Sequence, residues 1–128
     1  MRVITGTARG RRLISPEGLD VRPTTDKVKE SLFNIIQFDL EGAVVLDLFS
    51  GSGQLGIEAL SRGAEKVVFV DSSRKSLDVV KKNIDLCKFS DKSVAVLSDA
   101  FTFLKTTKEK FDIVFLDPPY EEGLLMPA

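Results

Sequence analysis

Apolar residues in this chain recur in two rhythms, and the change from one to the other predicts its elements. Residues 43–48 are apolar except for one aspartate near the end, as in a strand buried on both faces. Residues 54–62 carry a helical pattern, and Gly63 is a natural residue to stop it. Another apolar run follows at 66–70. Ser72 or Ser73 then caps a helix whose stripe is Leu77, Val80, Ile84 and Cys87, with Arg74, Lys75, Lys81, Lys82 and Lys88 opposite. Residues 93–97 predict a third strand, 101–104 a short helical stretch and 112–116 a fourth strand. Upstream, 2–14 read as a hairpin turning through 6–10, followed by a turn at 15–18. Thr24 or Thr25 caps a first helix with Val28, Leu32, Ile35 and Ile36 on one face, and Gly42 resets the pattern. Strand–helix units repeated three times and ending on a fourth strand predict a right-handed, mainly parallel α/β sheet. The organisation expected is a hairpin arm over 1–22 and an α/β domain over 23–128, without repeats or low-complexity segments.

Composition narrows the chemistry. The 128 residues suffice for one domain, and no apolar run approaches the roughly 20 residues needed to cross a bilayer. The start Met-Arg-Val-Ile-Thr-Gly has no apolar signal core. Cys87 is the single cysteine, so internal disulfides and cysteine-based metal sites are excluded, and its place in the stripe marks it as a core residue. These features fit the cytoplasm. There are no histidines, which removes every histidine-based general base. The formal charge of −1 hides an asymmetry, because residues 1–30 hold seven Lys and Arg against four Asp and Glu. Arg2, Arg9, Arg11 and Arg12 precede the first acid, Glu17, and read either as a solvated face or as an arm that meets phosphates.

Each predicted strand ends in a polar or glycine-rich group, at the side where open α/β sheets bind ligands. The first runs into Asp47-Leu-Phe49-Ser-Gly51-Ser-Gly53-Gln-Leu-Gly56, the second ends at Asp71, the third at Asp99 and the fourth at Asp117-Pro118-Pro119-Tyr120. The glycine spacing with Asp71 20 residues after Gly51 also suits a dinucleotide, so a nicotinamide oxidoreductase competes. Two features favour S-adenosylmethionine. Asp47 lies inside D-x-F-x-G-x-G, where a carboxylate can face the cofactor's ammonium but would repel a pyrophosphate. A dehydrogenase also has no use for Asp-Pro-Pro-Tyr.

That tetrapeptide suits methylation of an exocyclic amine, a poor nucleophile whose lone pair is delocalised into the base. The Asp117 carboxylate and the Pro118 carbonyl can accept its two N–H groups, while the paired prolines restrict the backbone. Tyr120 offers a flat face for a flipped base.

Met1-Arg-Val-Ile-Thr-Gly-Thr-Ala-Arg-Gly-Arg-Arg-Leu13, Arg22-Pro-Thr-Thr-Asp-Lys-Val-Lys-Glu-Ser-Leu-Phe-Asn34, the stretch from Leu46 to Leu60 and the Asp117–Tyr120 motif together resemble the bacterial 16S ribosomal RNA guanine-N2 methyltransferases, the RsmD-like family. The resemblance implies a Rossmann-like S-adenosylmethionine-dependent methyltransferase fold and a ribosomal RNA or small-subunit particle as partner. It implies that Arg22, Thr24 and Thr25 hold the methionine moiety, with Asp47, Phe49, Gly51 and Gly53 beside it. Asp71 would take the ribose, and Asp99, Ala100 and Phe101 the adenine. The family fold has seven strands, whereas this sequence ends eight residues after Tyr120. A fold incomplete at the C-terminus is therefore expected, with its fourth strand an apolar edge prone to self-association. Adenine-N6 methylation and a noncatalytic cofactor-binding fragment remain alternatives. No metal is expected.

Overall fold

The computed structural model describes residues 2–14 and 26–116. Runs of valine and leucine form the middle of a sheet as β1 (Val44–Leu48) and β2 (Lys66–Asp71). They are flanked by β3 (Ser93–Leu97) and β4 (Ile113–Leu116), in the order β3-β2-β1-β4 with every pairing parallel. The helices are α1 (Asp26–Ile36), α2 (Gln54–Ser61), α3 (Arg74–Leu86) and α4 (Ala100–Thr106). The architecture is thus the parallel α/β class expected from the alternation. Asp112 precedes β4, and its carboxylate accepts the Val44 N–H at 2.9 Å, tying the starts of the two strands together.

Side chains alternate across a strand, so each face collects its own apolar set. Val45, Val67, Phe69 and Phe115 face one side and meet α1, α2 and α3 through Phe33, Ile57, Leu60, Leu77, Val80, Ile84 and Cys87. Leu46, Leu48, Val68 and Val70 face the other and meet Phe49, Ala100 and Phe103. Val114 and Leu116 share the register of Leu46 and Leu48 but are 50% and 64% exposed. Among the described residues β4 pairs with β1 alone.

The face of α1 differs from the expected one. Val28 and Ile35 point to solvent, and Lys29 and Phe33 are fully buried in their place. Partners explain the rotation: Lys29 Nζ donates to the Arg2 carbonyl at 2.7 Å and lies 3.7 Å from Glu58 Oε1. Glu58, also fully buried, accepts the N–H groups of Ile4 and Thr5 and the Arg62 Nε–H at 2.8–3.0 Å. A buried carboxylate is tolerable only when its lone pairs are filled in this way, and removing one partner from such a pair costs about 3–5 kcal/mol. The Arg62 guanidinium, 4.9 Å from the Phe33 ring centroid, completes the cluster.

The expected N-terminal hairpin reduces to one antiparallel bridge, Arg2 to Arg12. Its apolar side chains Val3, Ala8 and Leu13 are buried in the main core, so the arm is packed as part of the domain. Ser61 Oγ accepts the Ala8 N–H and donates to the Thr5 carbonyl, while the Ser61 carbonyl accepts the Thr7 N–H.

Gly56 allows a test of which force sets the approach of α2 to the sheet. A Cβ there would lie 2.3 Å from Phe69 Cε1 and 2.9 Å from Val67 Cγ1. Helix propensity alone predicts that Gly56→Ala stabilises by about 1 kcal/mol, whereas overpacking costs about 1–3 kcal/mol. Packing wins here because Phe69 is fully buried and has no room to retreat. Urea denaturation should show a net loss of up to about 2 kcal/mol; a gain in stability would mean that the interface repacks freely.

Candidate functional site

β1 is the switch point of the sheet, since β2 and β4 lie on its opposite sides and the connections at its carboxyl end diverge. The chain leaves β1 through a loop with three left-handed residues, Phe49 at φ 57°, Gly51 at 60° and Gly53 at 82°. Phe49 adopts that conformation without a glycine's freedom, at a cost of order 1 kcal/mol or more. The loop is fastened where it bends. Ser50 Oγ donates to the Asp47 carbonyl at 2.7 Å, the Ser50 N–H donates to the Val70 carbonyl, and the Gly53 N–H closes a turn onto the Ser50 carbonyl.

Gly53 is the N-cap of α2 and has no side chain to cap it. Asp47 does so from β1, its Oδ2 accepting the Gly56 N–H at 3.0 Å. Negative charge is favoured at that end of a helix. At 2% exposure, Asp47 offers little surface to a ligand, so its geometric role is first to anchor the loop.

Asp71, half-buried at the end of β2, links this loop to the next. Its Oδ2 accepts the Gly51 N–H and its Oδ1 the Ser73 N–H, both at 2.9 Å. Ser73 in turn caps α3 by accepting the Ser76 N–H. A carboxylate oxygen accepts two hydrogen bonds, so these contacts leave Asp71 capacity for a diol. The position a Cβ would occupy on Gly51 has no atom within 4 Å, which leaves the loop open to close approach from outside. An open glycine backbone beside a carboxylate with spare acceptor capacity can receive a ligand that carries hydroxyl groups.

Asp99 lies at the same end of the sheet, just past the Ser98 N–H that bonds the Asp71 carbonyl. It caps α4 through the Thr102 N–H and hydroxyl at 2.8 and 2.7 Å. The Thr102 backbone bond, then its hydroxyl, hold the Asp99 carboxyl below the ordinary range. Ala100 packs against the second core cluster, and the Phe101 ring is 78% exposed. Leu116 pairs with Leu48, so the backbone leaves β4 at the edge where the glycine loop leaves β1. Asp117, Pro118 and Tyr120 lie outside the described residues, as do Arg22, Thr24 and Thr25.

Arg2, Arg9, Arg11 and Arg12 are all exposed. Asn83 joins the arm to the glycine loop: its Oδ1 accepts the Ile14 N–H, and its Nδ2 donates to the carbonyls of Ile14 and Ser52, at 2.7–2.9 Å. Asn83 and Glu58 escaped the sequence reading, although a polar residue on the buried face of an apolar helix is a visible signal. Cys87 is buried as expected; desolvation pushes its thiol pKa up, partly offset by the Arg11 charge.

Two shallow clefts run along α3. One of about 360 Å³ is lined by Ile14, Lys82, Asp85 and Leu86, and another of about 290 Å³ by residues of α3 and β3 and by Ser90 between them; neither includes the glycine loop. Among the described residues, no group of three or more acidic, cysteine or histidine side chains is placed to hold a metal, and no helix is long and apolar enough to cross a membrane.

Known proteins share this arrangement. A Bacillus subtilis protein named "Putative rRNA methyltransferase YlbH" is 46% identical, with 98% of this chain and 70% of the relative covered. "Ribosomal RNA small subunit methyltransferase D" of Haemophilus influenzae is 43% identical, with 100% of this chain and 68% of the relative covered. The solved structure titled "Putative methyltransferase yhhF from Escherichia coli" superposes with a TM-score of 0.85 at 39% identity, covering 98% of this chain and 67% of that one. This chain therefore spans about two thirds of the length of these relatives. With the family profile matching residues 1–128 throughout, the chain belongs to the family described as conserved hypothetical protein 95, that of the RsmD-like enzymes.

Proposed function

We propose that this chain is the cofactor-binding and RNA-docking part of an S-adenosylmethionine-dependent methyltransferase acting on the exocyclic amine of a base in ribosomal RNA, guanine N2 in 16S RNA. The observation that carries the reading is the Gly51–Asp71 hydrogen bond, which joins the glycine loop to the ribose-type acid at the switch point. The names of the relatives support the methyltransferase class and its ribosomal RNA substrate.

In this reading Asp71 accepts the ribose hydroxyls, and Gly51 and Gly53 let the backbone approach the ligand. Asp47 holds the loop and α2 in register behind them. Asp99 orders the first turn of α4, bringing Ala100 and the exposed Phe101 ring beside the adenine. Arg22, Thr24 and Thr25 take the methionine end, as the family resemblance implies. The cofactor supplies a methyl group already activated on sulfonium, so the protein chiefly positions two reactants. Asp117 and the Pro118 carbonyl accept the N–H groups of the target amine, and Tyr120 stacks on its base. No strong base is needed, in keeping with a chain that has no histidine. The exposed arginines at 2, 9, 11 and 12 meet RNA phosphates.

Asp71→Ala should weaken S-adenosylhomocysteine binding by roughly ten- to a hundredfold, since charge-assisted bonds contribute about 1.5–3 kcal/mol. Glu65→Ala, an exposed change before β2, should do little. Calorimetry giving equal effects, or tight NADH binding by the unmutated chain, would overturn the cofactor assignment.

Replacing Arg9, Arg11 and Arg12 together should flatten the slope of log RNA affinity against log salt by about two units, at roughly 0.7–0.9 per phosphate. Cofactor affinity should not change. An unaltered slope would make the arm a solvated surface only.

In a protein of the relatives' full length, Asp117→Ala should lower kcat far more than cofactor affinity, because its hydrogen bond strengthens as the nitrogen becomes cationic. Tyr120→Phe should keep most activity, and Tyr120→Ala should lose stacking of about 1–3 kcal/mol. Undiminished turnover by Asp117→Ala would end the catalytic reading of the motif.

A further inference from the structure

The N-terminal arm is attached to the domain by more than an arm needs merely to be present. Glu58 accepts the N–H groups of Ile4 and Thr5 from a fully buried position. Lys29, fully buried as well, takes the Arg2 carbonyl at 2.7 Å and reaches Gln54 Oε1 at 3.4 Å. Ser61 binds the arm through its hydroxyl and its carbonyl, at Thr5, Thr7 and Ala8. Gly6 lies so close to α2 that a Cβ on it would fall 1.9 Å from the Ser61 carbonyl oxygen, and its φ of 97° is itself a glycine conformation. Gln54 is the first residue after the glycine loop, so α2 carries the cofactor loop at one end and the arm along its length.

We propose that Lys29, Glu58, Ser61 and Gly6 are positioning residues for RNA: they clamp the arginine arm onto α2 and so set where its cations stand relative to the cofactor loop. The inference rests on the proposed RNA-docking role of the arm. Its physical basis is that a flexible arm would attract RNA but leave the target base at no fixed distance from the methyl group. An arm fixed by hydrogen bonds to the same helix that carries the cofactor loop delivers phosphates in one register, and well-oriented reactants gain rate from that constraint. None of the four residues is an exposed cation, so none is expected to touch RNA through its own charge.

The test uses the whole chain, a mixed-sequence single-stranded oligoribonucleotide and S-adenosylhomocysteine, at a temperature where circular dichroism shows every variant folded. Gly6→Ala alters no charge and should force the arm from α2. It should weaken RNA binding by about three- to tenfold, the size of one or two lost hydrogen bonds, and lower the salt slope by about 0.7, one phosphate. Cofactor affinity should stay within twofold of the wild type. Ser61→Ala should act in the same direction, and Lys29→Met likewise, with Lys29→Arg restoring RNA binding. If Lys29→Met does not fold, Gly6→Ala and Ser61→Ala decide the matter by themselves. RNA affinity and slope equal to wild type in folded Gly6→Ala and Ser61→Ala would overturn the clamp. So would a parallel loss of cofactor affinity, because the residues would then be general supports of the fold. The triple arginine variant separates the two levels. If it too leaves the slope unaltered, the docking role of the arm fails and the clamp falls with it; if it flattens the slope while the clamp variants do not, only the clamp is wrong.

Discussion

A chain leaving a buried parallel strand must turn, start a helix and satisfy that helix's first N–H groups within a few residues, and at β1 it does so with a glycine at the N-cap. Glycine provides the left-handed turn but no capping oxygen. Asp47 supplies that oxygen from inside the sheet, bonded to the Gly56 N–H. The rest of the site follows from this substitution. With the cap made from behind, the outward side of the loop stays free of side-chain atoms above Gly51. The Gly51 N–H is then available to the Asp71 carboxylate, which carries the constraint across to the Ser73 cap of α3. One buried acid thus shapes the cradle, and a second, half-buried acid forms its rim.

The three glycines of the G-x-G-x-x-G stretch meet different demands. Gly51 has open space around it, Gly53 combines a left-handed φ with Val80 and Phe69 so near that a Cβ would meet them at 3.3–3.4 Å, and Gly56 stands where any Cβ would strike Phe69. The spacing therefore records a turn, a cap and a helix–sheet approach at once, which is why it is easy to find in sequence. It is also why it does not name a ligand by itself: the same three demands arise wherever a helix starts tightly against a parallel strand. The neighbouring acids and the strand ends supply the discrimination.

Most of the sheet and the stripe of α3 were legible because burial on one or both faces leaves a periodic trace. Leu77, Val80, Ile84 and Cys87 are buried as their spacing implies. The face of α1 was not legible, because periodicity counts a lysine as polar and therefore outward. Lys29 turns inward only because Glu58, 29 residues away, and the Arg2 carbonyl are there to receive it. The acids at the strand ends could be placed from sequence, but the caps they make could not. Asp47 and Asp99 are expected beside a ligand, and in the fold each also holds a helix N-terminus. Local pattern reports which residues are buried or lie at a strand end, whereas tertiary partners decide what their polar atoms do.

The attachment of the arm also bears on the order in which this chain can fold as it is made. Residues 2–14 emerge from the ribosome before the residues that hold them, which lie 27 to 69 positions later, at Lys29, Glu58, Ser61 and Asn83. Until those residues have been synthesised, Val3, Ala8 and Leu13 have no core to enter. The usual vectorial sequence, with early segments setting first, is inverted: α2 and α3 must form and pack on β1 and β2 before the N-terminus can dock. During that interval the nascent chain carries several unshielded arginines beside unburied apolar side chains, a combination suited to transient capture by the polyanionic surface of the ribosome that is making it.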